Sequence, residues 1–130
     1  MMAAARRAYA TADLNFRSES SSKRDHVLMM YDAAIDAIRL AQQHAIRQEK
    51  RAVSASTTRA LTILSGLRET LDLDNGGSVA VHLNDFYQFL MRRLVRAGGV
   101  GSTEDLAECE DLLNQRSEEH TSELQSPYVI

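Results

Sequence analysis

The sequence has little that would cross-link it, break its helices or hold it in a membrane. It has no Trp, 5% aromatic residues, a single Cys and a single Pro. One Cys cannot form an internal disulfide, which favours a reducing compartment such as the cytosol. No apolar run approaches the ~18 residues that a transmembrane helix needs, so we expect no stable membrane insertion. A core with so few aromatic side chains must be aliphatic, which suits helices that pack on helices.

The charge balance excludes another class of partner. The chain has 15 Lys and Arg residues against 18 Asp and Glu residues, a net charge of −3. Proteins that bind nucleic acid generally carry an excess of basic charge, so we expect no nucleic-acid partner. A length of 130 residues, 44% of them hydrophobic and 25% charged, is that of one ordinary globular domain.

Apolar residues recur at spacings of three and four in several segments, which predicts amphipathic helices. The first helix begins at Ser22, a good N-cap residue, and fades over residues 47–50, where charges cluster. The second carries its apolar stripe from Val53 to the Asn-Gly-Gly run at 75–77, because Asn and Gly tolerate the left-handed conformation that closes a helix. Gly66 lies within this helix at some cost in helix propensity, and therefore indicates a close approach of two helices.

Two further helices follow. The third spans residues 79–97, with Ser78 as its cap, and the Gly-Gly-Val-Gly run at 98–101 stops it. The fourth begins at Ser102 or Thr103, and the acidic residues of its first turn suit the helix dipole. No segment alternates with period two over a useful length. Four amphipathic helices with short links predict an all-α fold, an antiparallel up-down four-helix bundle.

The chain divides into three parts on this interpretation. Residues 1–21 form a flexible N-terminal arm, and residues 22–115 form the bundle. Residues 116–130 lose the apolar stripe, and their stretch RSEEHTSELQS resembles a translated sequencing adapter. We therefore leave this tail out of the fold prediction, which makes the last helix a truncated one. A natural disordered tail is the alternative.

No residue pattern indicates catalysis, a metal or a cofactor. A di-metal bundle needs inward Glu residues and two Glu-x-x-His pairs, and the sequence contains no Glu-x-x-His. Cys109 lies in an acidic segment, where carboxylates raise the pKa of a thiol, so we interpret it as a packing residue. The GGVGST stretch follows a helix and lacks the GK[ST] ending of a phosphate-binding loop.

Two weaker signals stay open. A histidine-phosphotransfer domain is also a small helical bundle, and His44 or His82 is the candidate for its phosphorylated residue. Arg92, Arg93 and Arg96 form a basic cluster near the end of the third helix. Such a cluster is usually a solvated face that suits the helix dipole, and the alternative is a contact with phosphate or an acidic partner.

Three stretches together resemble the flagellar secretion chaperone (FliS) family: LMMYDAAI at 28–35, LRETLDLDNGG at 67–77 and VHLNDFYQFLMRRLVRA at 81–97. The order and spacing of the three are more specific than any one of them. The sequence departs from the family pattern at His82, where Asn is usual, and at Phe86, where Leu is usual. It also has a Gly-Gly-Val-Gly run where the family continues with Asn.

The resemblance implies a binding protein and not an enzyme. Family members bind the disordered C-terminal segment of flagellin in the cytosol, prevent its premature polymerisation and deliver it to the flagellar export gate. The expected protein is a monomer or weak homodimer. The alternative function is a helical signalling bundle, either a phosphotransfer domain or an adaptor.

The resemblance also implies the flagellin-binding residues. Three lie in the arm, and the others lie on the helices and at the Gly-Gly junction. They are Tyr9, Leu14, Phe16, Met30, Tyr31, Leu71, Leu73, Leu83, Tyr87, Leu90, Met91 and Leu94.

Overall fold

The computed structural model describes residues 19–123, and these residues form four α-helices and no strand. The helices are α1 (Glu19–Ile46), α2 (Lys50–Glu69), α3 (Gly77–Val100) and α4 (Thr103–Glu123). The all-α prediction is confirmed. Most of the predicted arm, residues 1–18, lies outside the described part of the chain.

The helices pack in the cyclic order α1, α2, α3 and α4, with α4 closing against α1. Contacts between α2 and α3 show their relative direction. Arg68, late in α2, bonds Asn84, early in α3, whereas Thr57, early in α2, contacts Gly98, late in α3. The two helices are therefore antiparallel, and short connections give the same up-down course around the bundle.

The core is aliphatic, as the composition predicts, apart from two tyrosines. On each helix the buried apolar side chains recur every three or four residues, so that each helix turns one stripe inward. On α1 these are Val27, Tyr31, Ala34, Ile35, Ala37, Ile38 and Ala41, and on α2 they are Val53, Ala60, Leu64 and Leu67. On α3 they are Ala80, Leu83, Tyr87, Leu90, Leu94 and Ala97, and on α4 they are Leu106, Cys109 and Leu113.

Two predicted helix boundaries in the first half of the chain are wrong. In α1 the described helix already includes Glu19, three residues before the predicted cap Ser22. A Ser N-cap is worth only about 1 kcal/mol, which further helical turns can outweigh. Helix α2 ends at Glu69, before the Asn-Gly-Gly run. There the Thr70 hydroxyl donates a hydrogen bond to the carbonyl of Leu67 at 2.6 Å, which closes the helix.

The linker after α2 has its own turn chemistry. The Asp72 carboxylate accepts hydrogen bonds from the backbone and side-chain amides of Asn75, both at 3.1 Å. These bonds hold the turn between α2 and α3. Gly77 then has a left-handed φ of +62° and opens α3, with Gly76 as the N-cap. The prediction that Ser78 caps this helix is wrong, because the helix already includes that residue.

Of the three glycines predicted to stop α3, two lie inside it. Helix α3 continues through Gly98 and Gly99 to Val100, and the third, Gly101, is its C-cap, with a φ of +67° in the left-handed conformation that glycine favours. Gly98 is in the helix for a tertiary reason. A Cβ atom there would lie only 2.7 Å from Cγ2 of Thr57, so glycine allows α2 and α3 to approach closely.

Other local predictions are confirmed. The Ser102 hydroxyl accepts a hydrogen bond from the backbone N–H of Asp105 at 3.2 Å, as an N-cap of α4 does. Gly66 faces Met30, whose Cε lies 2.8 Å from the position of a Cβ at residue 66, so α1 and α2 approach there.

Helix α4 continues to Glu123, beyond the predicted end of the bundle at residue 115. The adapter origin of residues 116–130 stays a prediction.

Candidate binding surface

Helix α3 carries apolar side chains among the polar ones on its solvent side. It exposes Val81, Phe89, Val95 and Val100 while burying its inward stripe. Helix α1 exposes three large hydrophobic side chains, Met29, Leu40 and Ile46, and among the described residues α2 and α4 expose none. A surface helix normally has a polar outer face, and apolar groups grouped on such a face commonly mark an interaction site. Helix α3 is therefore the candidate binding element.

One apolar row of α3 borders α2. Asn84 and Gly98 both contact α2, and Met91 lies seven residues from each, so that these three positions share one side of the helix. Val81 and Val95 lie beside them. These two valines are fourteen residues apart, and both are exposed. Leu61 of α2 is partly buried and lines a shallow hollow on that helix. These side chains form an apolar surface, the α2–α3 face: Leu61, Val81, Met91 and Val95.

The opposite border of α3 faces α4 and contains two open hollows. One, of about 200 Å³, is lined by Val79, His82, Phe86 and Arg116. The other, of about 600 Å³, is lined by Phe89, the three clustered arginines and Asp105 of α4. We call this second hollow the arginine cleft, formed by Phe89, Arg92, Arg93, Arg96 and Asp105. The two borders of α3 thus differ in chemistry, because one is apolar and the other is partly basic.

Five of the predicted flagellin-binding residues lie in the bundle core, each at most 1% exposed: Tyr31, Leu83, Tyr87, Leu90 and Leu94. Tyr31 and Tyr87 join α1 to α3 through a hydrogen bond of 2.5 Å between their hydroxyls, with ring centres 6.1 Å apart. Side chains in this position support α3 from behind and are not at the surface in this conformation. Their contact with flagellin stays a prediction.

The other predicted site residues are more accessible or lie elsewhere. Met30, Leu71 and Met91 are partly buried against the core, and Leu73 in the linker is half-exposed. Tyr9, Leu14 and Phe16 lie outside the described residues. Of the predicted set, only Met91 belongs to the α2–α3 face.

Sequence reasoning missed the exposed apolar residues of that face. Val81 and Val95 were not predicted as site residues, and neither were Phe89 and Val100. A signal for the first two was present, because their spacing of fourteen residues places both on one side of a helix, away from the buried stripe that begins at Ala80 and Leu83.

The titratable groups of the described residues do not form a catalytic arrangement. Burial, together with nearby carboxylates, raises the pKa of the Cys109 thiol to about 11, so the thiol stays protonated and unreactive at neutral pH. Nδ1 of His44 lies 3.0 Å from Oε1 of Glu49, a local contact at the turn after α1. No group of three or more potential metal ligands comes together in residues 19–123. Within the same range, no helix combines the length and apolarity needed to cross a membrane.

The family model and the curated relatives that match this chain all point to one family. The family model described as flagellar protein FliS matches residues 4–122. The flagellar secretion chaperone FliS of Salmonella typhimurium is 27% identical over 113 residues, covering 86% of this chain and 84% of the relative. FliS of Escherichia coli is 25% identical over 124 residues, covering 95% and 91%. FliSB of Pseudomonas aeruginosa is 40% identical over a shorter stretch of 55 residues, covering 42% and 44%.

Proposed function

We infer that this chain, which belongs to the FliS family of flagellar secretion chaperones, binds the disordered C-terminal segment of flagellin. It is not an enzyme. Binding in the cytosol prevents premature polymerisation and keeps flagellin competent for export. The complex then docks at the flagellar export gate. The chaperone acts as a monomer or weak homodimer.

The observation that carries this proposal is the apolar solvent side of α3. A disordered segment that folds into an amphipathic helix needs an apolar groove to receive its side chains. The α2–α3 face offers apolar side chains for such a segment: Met91 and Leu61 are partly buried, and Val81 and Val95 are exposed on either side of Gln88. Methionine adapts its shape to an incoming helix, which suits Met91 to this position.

The energetics favour an extended contact. Folding of a disordered segment on binding costs about 2–5 kcal/mol, so a few apolar contacts alone give weak affinity. Each valine that becomes fully buried contributes about 1.5 kcal/mol or more. Val81 and Val95 are already partly buried, at 47% and 60% exposed, so covering them and Met91 offsets only part of the folding cost, and the segment needs further contacts along the bundle.

The core residues have a supporting role in this proposal. Leu83, Leu90 and Leu94 fix α3 to the rest of the bundle, and the hydroxyl pair of Tyr31 and Tyr87 ties it to α1. A rigid helix presents its outer side chains without the entropic cost of ordering them on binding.

The test is titration calorimetry of the full chain against a peptide from the C-terminus of the same organism's flagellin. The variant Val81→Gln/Val95→Gln replaces the apolar edge with polar side chains that are good helix formers. Leu40→Gln on α1 is the matched control, because Leu40 is 45% exposed and Val81 is 47% exposed. We expect the double variant to bind at least about tenfold more weakly, and the control to bind normally.

Two results would count against the proposal. If the chain is folded by circular dichroism and releases no binding heat with the peptide, the flagellin assignment is wrong. If the double variant and Leu40→Gln bind the peptide equally well, the segment does not use the α2–α3 face. A negative heat-capacity change in the wild-type titration is expected, because apolar surface leaves water on binding.

A further inference from the structure

We propose that the arginine cleft is a second docking site, which binds an acidic amphipathic helix of a partner protein through Arg92 and Arg96. This inference goes beyond flagellin binding, because the cleft lies on the α4 border of α3 and the α2–α3 face lies on the other border. Arg92 lies three residues before Val95, so the two surfaces adjoin on the solvent side of α3, but they share no residue and are tested with separate substitutions.

The arginines share one side of α3. Phe89, Arg92, Arg93 and Arg96 have relative spacings of three, four and seven residues, which bring side chains together on a helix. Asp105 of α4 lines the other wall of the cleft. The result is an open hollow of about 600 Å³ with an aromatic ring at one end and several cationic side chains along its length.

Only one of the three arginines has a described ionic partner. Arg93 donates a hydrogen bond from Nη1 to Glu108 at 2.6 Å, and its guanidinium carbon lies 5.4 Å from the centre of the Phe89 ring. This arrangement links α3 to α4 and holds the ring in place. Arg92 and Arg96 are exposed and form no ion pair among the described residues. Their donors face solvent and are free for a ligand.

The ordinary explanation for a basic cluster near a helix end does not apply here. Favourable interaction with the helix dipole is confined to about the last turn. Helix α3 continues to Val100, and its last turn contains no basic residue. Arg92 and Arg96, as like charges four residues apart, instead destabilise an isolated helix. A carboxylate partner between them removes this repulsion.

Charge complementarity defines the ligand. Because Glu108 neutralises Arg93, the cleft has two remaining cations against the single Asp105, in a chain whose net charge is −3. A planar guanidinium binds carboxylate with paired hydrogen bonds, so two such groups four residues apart fit two carboxylates at the same spacing. Two free arginines are too few for a lipid surface, which typically attracts clusters of about 4–8 basic residues.

Apolar groups flank the arginine pair and define the length of the ligand. Exposed Phe89 and Val100 are eleven residues apart on the same side of α3, which is about 16 Å along the helix. The complementary partner is therefore a helix of about three turns. It carries two acidic residues in its middle and an apolar residue near each end.

The probe for this site is a fluorescein-labelled synthetic helical peptide with two Glu residues four positions apart and a Leu one turn outside each. A second peptide with Gln in place of both Glu residues is its matched control. Binding to the full chain is measured by fluorescence anisotropy at low and high salt. We expect the Glu peptide to bind about tenfold more tightly than the Gln peptide, and this difference to shrink with salt.

The variant Arg92→Gln/Arg96→Gln removes both free charges. Its matched control is Arg51→Gln/Arg59→Gln, which removes two exposed charges of α2 outside the cleft. We expect the cleft variant to lose about tenfold in affinity for the Glu peptide and to discriminate no longer between the peptides, since both exposed ion pairs with the peptide are lost. The α2 variant keeps at least most of the wild-type affinity and still discriminates.

Several results would overturn the proposal. Equal losses in the two double variants would show a general effect of net charge. Failure of the wild type to discriminate between the peptides would show that carboxylates are not recognised. Binding of phosphatidylglycerol vesicles that depends on Arg92 and Arg96, without peptide discrimination, would assign the cleft to a membrane surface instead. Retained flagellin-peptide binding by the cleft variant separates this test from that of the proposed function.

Discussion

The close contact between α2 and α3 at Gly98 predicts that Gly→Ala changes the free energy of unfolding in opposite directions at residues 98 and 99. A Cβ atom at residue 98 would lie 2.7 Å from Cγ2, 2.9 Å from Oγ1 and 3.1 Å from Cβ of Thr57. A Cβ atom at Gly99 meets no atom within 4 Å. Both glycines lie inside α3, so Gly→Ala has the same intrinsic effect on helix propensity at each position.

The magnitude follows from two opposing contributions. Replacing Gly by Ala within a helix stabilises it by about 0.8–1 kcal/mol. Overpacking at a tight contact typically costs about 1–3 kcal/mol, because carbon atoms prefer separations of about 3.5–4 Å. Gly99→Ala should therefore raise the free energy of unfolding by nearly 1 kcal/mol. Gly98→Ala should be less stable than Gly99→Ala by about 1–3 kcal/mol.

The assay is urea unfolding of the full chain, followed by circular dichroism at 222 nm, for the wild type and both variants. A Thr57→Ala substitution in each background tests the cause. It removes the two side-chain atoms nearest to the new methyl group, so we expect a favourable coupling of about 0.5–1.5 kcal/mol with Gly98→Ala and none with Gly99→Ala. The reasoning fails if Gly98→Ala is as stable as Gly99→Ala, or if Thr57→Ala shows no coupling.

Two further predictions concern buried or paired ionisable groups. Cys109 is fully buried, and burial raises the pKa of its thiol to about 11. The folded chain should therefore resist a thiol reagent at pH 8 and react once it is unfolded in urea. Rapid labelling of the folded chain would contradict this prediction. Burial raises the pKa of Glu110, but hydrogen bonds from Arg39 and Gln42, each at 2.7 Å, outweigh that effect and lower it overall. The ionised Glu110 should therefore stabilise the fold above a pH of about 4.3, with the benefit lost as the pH falls through its lowered native pKa. Glu110→Gln should cost up to about 1 kcal/mol at pH 7 and progressively less as the pH falls and Glu110 becomes protonated, and a cost independent of pH in urea unfolding would refute the assignment.

Local patterns predicted the helices and much of the core because both depend on a short repeat. The buried stripe of α4 at Leu106, Cys109 and Leu113 follows directly from spacings of three and four. The cap at Ser102 was equally predictable, since its hydroxyl bonds a backbone group only three residues away. These features involve neighbours in sequence and little else.

Helix ends were less predictable where tertiary contacts override propensity. Glycine usually ends a helix, and the Gly-Gly-Val-Gly run suggested that α3 stops early. Gly98 instead stays helical, and its missing side chain leaves room for Thr57 of α2 at the close contact. Nothing in the order of residues near Gly98 indicates that Thr57 lies opposite.

The candidate site also combines features that the sequence predicts with features that only the tertiary structure shows. The family motifs mark Tyr31 and Tyr87, but sequence alone does not distinguish residues that support α3 from residues that face a partner. The structure places both tyrosines in the core and exposes Val81 and Val95 instead. The motifs therefore point to α3, and which of its side chains contact a partner stays a prediction.

By itself, the sequence determined the helical class, the number of helices and the family, because periodicity and motif order are properties of the chain alone. The tertiary structure alone decided which apolar residues of α3 remain exposed and which arginines remain unpaired. Those outcomes depend on the neighbouring helices, since α2 and α4 each cover part of α3 and Glu108 of α4 engages Arg93 but not Arg92 or Arg96. Exposure and pairing arise from packing between distant segments, and local sequence does not contain them.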